Sequence, residues 1–300
     1  ELGENATPYK PSALDEDKFG AAPQKDAKIM PDVKVPTVKK APVVDGDLSD
    51  FPKECKVESF MFKGSESPQH KTTAYLACDD KNLYIALQCS VPDVSKVNAE
   101  QFPRDMGRVY GAESIEMFFD PALSRKEYYQ LAVNAGNSQA DCGPGRNPAW
   151  NGRWQSAVRL NRQTNTVDYE IAIPYSNFAD AEMTDTWGFN LGRNCMASRQ
   201  HLSLLHTPQM NYHLPGIYPK LVFPAGVLNA ARIGFAGSSL YESANGNATF
   251  ETVLRNVTGS KIEHAFIRLL DSKTEEVLGT AEMNFPVGNT SVKFATRLPN

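Results

Sequence analysis

The sequence predicts an all-β chain of two sandwiches in series, and three observations predict it. Short runs in which apolar and polar residues alternate recur along the chain, separated by clusters of Gly, Pro, Asn and Asp. No segment carries the period of a convincing long helix. After Pro224 a second and shorter set of alternating runs begins, and 300 residues leave room for two domains.

The elements follow in order. Residues 1–40 are rich in Pro, Lys, Asp and Ala and read as an extended arm or linker, with room for one short helix after Ser12, a good N-cap. Pro31, Pro36 and Pro42 forbid a regular helix around them. From Ala41, APVVDGDLSDF gives an apolar strand and then an Asp-Gly-Asp turn. Ala74, Leu76 and Cys78 alternate on one arm of a hairpin and Leu83, Ile85 and Leu87 on the other, with Asp79-Asp80-Lys81-Asn82 as its turn. In VYGAESIEMFFDP, Ile115, Met117 and Phe119 form one face of a strand that ends at Asp120-Pro121, with Glu113 at its mouth and Glu116 on the opposite face. A strand is expected over Tyr128–Asn134. Residues 135–153 hold Gly, Pro and Asn without periodicity and read as a surface loop. Strands resume at Trp154–Leu160, Val167–Ile173, Trp187–Asn194 and Lys220–Phe223, so residues 41–226 read as one β-sandwich. Five further alternating runs in residues 227–300 read as a small immunoglobulin-like sandwich, a spacer or docking module.

Composition narrows the function. A net charge of −4 argues against nucleic acid, which needs a concentrated basic surface. No apolar run reaches the length of a membrane span. No signal sequence is visible and Glu1 comes first, so the chain reads as a mature form or an excised piece. Cys55, Cys78, Cys89, Cys142 and Cys195 form no CxxC pair and read as small buried hydrophobes, with a disulfide involving Cys142 as the alternative. There is no GxSxG, HExxH or Walker motif, and no second carboxylate partner for glycoside hydrolysis is visible, so the chain reads as non-catalytic.

Seven phrases follow one another between Val43 and Phe223: VVDGDLSDF, AYLACDDKNLYIALQCSVPD, ESIEMFFDP, QLAVN, DYEIAIPYSNF, WGFNLGRN and HLPGIYPKLVF. In order and spacing this series resembles carbohydrate-binding module family 9. The resemblance implies a β-sandwich without a catalytic centre that holds the end of a sugar chain between two aromatic rings, often with structural calcium. It also implies a secreted or surface setting and attachment to a glycoside hydrolase or other modules of a larger polypeptide. Position by position, it makes Tyr110 and Tyr212 the clamp aromatics, Glu116 the carboxylate of the strand and Gln209 a nearby amide. Stacking a sugar's C–H face on aromatic rings, with fixed polar partners, is the physical logic. The family's basic residue falls on Ala132 and one of its amides on Gly192. Replacements for those lost contacts would come from Gln130, Arg193 or the 135–153 loop with Trp150.

Each candidate has a plainer alternative. Tyr110 and Tyr212 either contact ligand or cap the sandwich edge, and Glu116 is otherwise a solvated glutamate. Arg193 shares the side of Phe189 and Leu191, so it is either a buried, paired arginine or an inward-facing site residue. Trp150 has no strand pattern to bury it. Asp45, Asp47, Asp79, Asp80 and Asp120 are turn acids by position, and calcium is expected from the resemblance alone. His201, His206 and His213 have no zinc-ligand spacing. The function expected is glycan binding. The alternatives are a structural or protein-interaction sandwich that has lost its sugar site, and a haem-carrying electron-transfer domain for which Met117, Met196 and the histidines are the available ligands.

Overall fold

The structure, a computed structural model, describes residues 31–297 except 64, 180, 206–210, 229–232, 243–246, 257–260, 272, 273 and 275. The helix expected after Ser12, the amide of Gln209 and His206 lie outside the described residues. The chain divides into two compact units, one holding the residues up to 174 together with 184–225, the other holding 175–183 and the residues from 226 on.

The first unit is a β-sandwich of thirteen described strands. They are β1 (Val33–Lys34), β2 (Cys55–Val57), β3 (Met61–Phe62), β4 (Thr72–Cys78), β5 (Asn82–Ser90), β6 (Ser114–Asp120) and β7 (Tyr129–Asn134). There follow β8 (Gln139–Cys142), β9 (Gln155–Asn161), β10 (Thr166–Pro174), β11 (Thr186–Cys195), β12 (Gln200–Ser203) and β13 (Lys220–Val222). One sheet runs β2-β4-β5-β10-β9, and the other runs β1-β13-β11-β6-β7-β8, with β12 beside β11 and β3 beside β12.

Alternation builds the interior. In the first sheet Leu76, Ile85 and Ile171 sit side by side across β4, β5 and β10, and all three are buried. In the second, Leu131, Met117 and Leu191 do the same across β7, β6 and β11. Each such side chain removed from water contributes roughly 1.5–3 kcal/mol. The hairpin turn forms because the Asp79 carboxylate accepts the Lys81 and Asn82 amides at 2.8 and 2.7 Å.

Several elements differ from expectation. Residues 33–34, read as arm, form β1 and pair parallel with Leu221 and Val222 at the sheet edge. Residues 135–153, read as a loop, hold β8, which pairs with β7. None of the five cysteines forms a disulfide, and Cys78, Cys89 and Cys195 are buried. The outer face of β6 is not open to solvent: Ser114, Glu116 and Phe118 are buried there, as are Gln130 and Ala132 of β7 and Asn190 and Asn194 of β11.

The second unit has five described strands, β14 (Ile233–Glu242), β15 (Asn247–Asn256), β16 (Ile262–Leu270), β17 (Val277–Phe285) and β18 (Gly288–Arg297). They form a three-stranded sheet, β14-β15-β18, and a two-stranded one, β16-β17. Leu254, Phe285, Val292 and Phe294 make its buried core.

Candidate functional site

Glu116 lies in the middle of a cross-strand row. Gly192 of β11 is its neighbour on one side and Ala132 of β7 on the other, with Ala140 of β8 beyond. These small residues leave shallow depressions on both sides of the carboxylate, and each is roofed by a tyrosine. The Tyr212 ring lies against Gly192, where an added Cβ would meet its Cε2 and Cζ at 2.8 Å. Tyr110 packs, partly buried, on the cluster of Val109, Ala132 and Ala140. Gly192 and Ala132 are therefore the seats of the two tyrosines.

The carboxylate is held by amides. Glu116 Oε1 accepts Asn194 Nδ2 at 2.8 Å and Oε2 accepts Gln130 Nε2 at 2.6 Å. Burial pushes its pKa up to about 7, offset in part by those two amides and by the charge of Arg146. From Asn194 the network widens. Its Oδ1 accepts the Tyr212 hydroxyl at 3.1 Å and lies 2.6 Å from His201 Nδ1, while its Nδ2 also reaches the Tyr110 carbonyl at 3.0 Å. On the other side, the Cys142 thiol donates to Gln130 Oε1 at 3.6 Å. Phe118, one step along β6, is surrounded by Tyr128, Tyr212, His213 and Tyr218. His213 Nδ1 sits 2.8 Å from the Tyr128 hydroxyl and its Nε2 lies 3.4 Å from an Arg146 nitrogen. Tyr110, Arg146 and His213 are partly exposed at the margin of this face.

The loop carrying Tyr110 is pinned over the face by long-range bonds. The Phe102 amide donates to Ser138 Oγ at 2.7 Å and Asn134 Nδ2 donates to the Glu100 carbonyl at 3.0 Å. Arg104 donates to the Asp141 carboxylate and, at 2.8 Å, to the Gly152 carbonyl. Asp141 also accepts Trp154 Nε1 at 2.9 Å and the Gly152 amide at 3.2 Å.

The structure brings Tyr110, Glu116, Gln130 and Tyr212 together on one face and leaves two other candidates off it. Arg193 points between the sheets. Its Nε and an Nη reach Glu113 Oε1 at 2.9 and 2.7 Å, and it donates to Thr72 Oγ1 at 3.1 Å and the Ser90 carbonyl at 2.8 Å. It is a tie across the sandwich, as the alternation with Phe189 and Leu191 allows. Trp150 is partly exposed and packs within its own loop. Its ring centroid is 5.0 Å from that of Tyr129, and added Cβ atoms on Gly143 and Gly152 would meet it at 2.8 and 2.7 Å. Asn194, Tyr128 and Arg146 belong to this region without having been expected there, and so does His213, which the sequence offered only as a metal or haem ligand; only Asn194 had a local signal, its alternation with Asn190 and Gly192.

Three of the turn acids are engaged by the chain's own donors. The oxygens of Asp79 and Asp120 accept neighbouring backbone amides, and Asp47 accepts the Ser49 amide and Arg159. Among the described residues no three of His, Cys, Asp and Glu gather in a way that could hold a metal ion. Met117 is core and Met196 is exposed, so they form no axial pair for haem.

No protein-family model and no curated relative matches the sequence. Among solved structures, a provisionally assigned carbohydrate-binding protein from Bacteroides uniformis aligns at a TM-score of 0.51 with 16% identity, covering 65% of this chain and 99% of that one. A carbohydrate-binding module of family 9 from Caldicellulosiruptor kristjanssonii, solved with cellotriose and with glucose, aligns at a TM-score of 0.46 with 16% identity in both cases. These alignments cover 64% of this chain and 92% and 95% of the others. At this identity the likeness is one of fold, a β-sandwich, and does not carry the ligand across.

Proposed function

We propose that the chain is a non-catalytic carbohydrate-binding module whose ligand meets the Glu116 face. One observation supports this above the rest: a carboxylate and two amides, Glu116, Gln130 and Asn194, lie in one connected network between two tyrosines. A pyranose needs both parts, an aromatic surface for its C–H face and directional donors and acceptors for its hydroxyls. Tyr110 marks the side of entry because it is the partly exposed member of the pair. Binding on the other side requires the Tyr212 ring to leave Gly192. The setting that accords with the resemblance is a secreted or surface polysaccharide-degrading system, with the module attached to a hydrolase.

Calorimetry with cellotriose, glucose and a panel of plant and bacterial oligosaccharides tests this. Tyr110→Ala and Gln130→Ala are each expected to weaken binding by about tenfold or more, the loss of a stacking face or a fixed hydrogen bond. If no member of the panel binds, or binding is untouched by both substitutions, the reading fails. A second reading, a protein-interaction sandwich without a sugar site, draws on the burial of Glu116 and Tyr212, and it gains if the panel is silent.

A further inference from the structure

The loop that places Tyr110 over the β7–β8 depression has a second flank, and a groove of about 580 Å³ runs along it. Val91, Val97, Phe102 and Met196 supply its apolar wall, and the Met196 side chain is half exposed there, at 50%. Gly111, Ala112 and Glu113, the residues that follow Tyr110, close one side. Glu113 brings no unpaired charge, because its Oε1 is held by Arg193 and its Oε2 accepts the Met196 amide at 2.9 Å.

The charges at the rim are matched in pairs. Lys96 Nζ lies 3.2 Å from Asp93 Oδ2, and Arg108 Nη2 lies 3.3 Å from Glu100 Oε2. Arg108 also rests over the Phe102 ring, 4.7 Å from its centroid. A charged ligand would have to compete with a partner already in place, so this rim favours neither sign. A neutral polyhydroxylated ligand meets donor and acceptor side by side, the arrangement that adjacent hydroxyls bridge, with an apolar wall for its C–H face. An apolar peptide would cover the same wall but leave the rim charges desolvated and its own backbone groups without fixed partners.

We infer that this groove is a second saccharide site, taking a neutral oligosaccharide through Glu100, Arg108 and the wall of Phe102 and Met196. The inference rests on the carbohydrate-binding reading but concerns a different set of residues from the Glu116 face. It is tested by titrating cellotriose and xylotriose separately into the isotopically labelled 300-residue chain and following backbone and side-chain amides by NMR. The expected result is shifts in residues 96–102, 108, 111–113, 196 and 197, a set without Tyr110. Replacing Arg108 by Ala together with Glu100 by Gln, both exposed side chains, is expected to weaken that set by about tenfold while leaving shifts at Gln130 and Asn194 in place. A well-dispersed spectrum of the variant shows that it folds. Shifts confined to Gln130, Asn194 and their neighbours overturn the second site and leave the first standing. Shifts confined to the groove overturn the Glu116 face as the binding surface and support the groove. No shift with either sugar overturns the second site for neutral oligosaccharides, and calorimetry with the wider panel then decides the general reading separately.

Discussion

The ring of Tyr212 occupies the space that a side chain on Gly192 would need, with Cε2 and Cζ 2.8 Å from where its Cβ would stand. The glycine is therefore a seat for the tyrosine. Tyr212 is fixed there by its hydroxyl, which donates to the Arg193 carbonyl at 3.0 Å and to Asn194 Oδ1 at 3.1 Å, and by packing on Phe118 and Tyr218. It cannot shift by a few tenths of an ångström without straining those bonds.

Gly192→Ala is therefore expected to destabilise the first unit by roughly 1–3 kcal/mol, the cost of overpacking. In a Tyr212→Ala background the same substitution should cost much less, because the clashing ring is gone. Urea unfolding of the four proteins in this cycle measures the coupling. Equal costs in both backgrounds would show that the ring does not sit on the glycine.

Arg193 offers a contrast between a buried tie and a binding residue. Arg193→Met leaves the Glu113 carboxylate buried beside Met196 without its cation, and should cost about 3–5 kcal/mol. Adding Glu113→Gln should recover much of the loss, since the uncompensated charge is then removed. Oligosaccharide affinity of the folded double variant at the Glu116 face should match the parent, because neither side chain faces Glu116. A double variant that is stable but has lost sugar binding would place Arg193 in the site after all.

Glu170 gives the cleanest pH dependence. Its Oε2 accepts the amides of Asp45 and Gly46 at 3.0 and 2.8 Å, while its Oε1 is buried without a hydrogen-bond partner. Burial, reinforced by Asp45 and Asp50, pushes its pKa from 4.5 up to about 7. A carboxylate whose pKa is raised on folding holds its proton more tightly in the folded state. Its destabilising contribution is absent below about pH 4.5, grows as the pH rises toward 7, and is complete above that. Glu170→Gln keeps the acceptor for the two amides and removes the charge. Its melting temperature should exceed that of the parent at pH 8 and converge with it at pH 4 as the parent becomes protonated. A difference that stays constant across this range would mean that Glu170 does not titrate there.

How far the sequence carried depends on the range of the interaction involved. Ile115, Met117 and Phe119 declare a strand because burying one face imposes a period of two, and the hairpin of β4 and β5 declares itself through Asp79. The inward position of Arg193 followed from the same alternation, while its partner Glu113, eighty positions away, had no local sign. The short strands β1, β2, β3, β8 and β12 escaped notice because two to four residues carry too little periodicity, and their pairing is decided by distant backbone groups. The closure of the Glu116 face was hidden for the same reason. It depends on bonds such as Phe102 to Ser138 and Tyr212 to Arg193, which no window of sequence contains.

That closure gives a last prediction, for a residue that touches neither tyrosine. The Asp141 side chain gathers Arg104, the Gly152 amide and Trp154 Nε1 into one knot beside β8. The same stretch of loop is stitched to β8 by the Asp105 amide on the Gln139 carbonyl at 3.0 Å and the Asp141 amide on Asp105 Oδ1 at 2.9 Å. Asp141→Ala leaves Trp154 Nε1 without its acceptor and Arg104 without its charged partner, and loosens the loop so that it can lift from Ala132 and Ala140, taking Tyr110 with it. Amide hydrogen exchange at Phe102, Asp105 and Val109, each bonded within or beneath this loop, should accelerate by about tenfold or more, while exchange in β4 and β5 stays unchanged. Oligosaccharide affinity should fall with it, as the stacking face loses its fixed position. If the loop amides remain as protected as in the parent, the knot is not what holds Tyr110 over the face, and the packing of Phe102 and Val109 alone must do so.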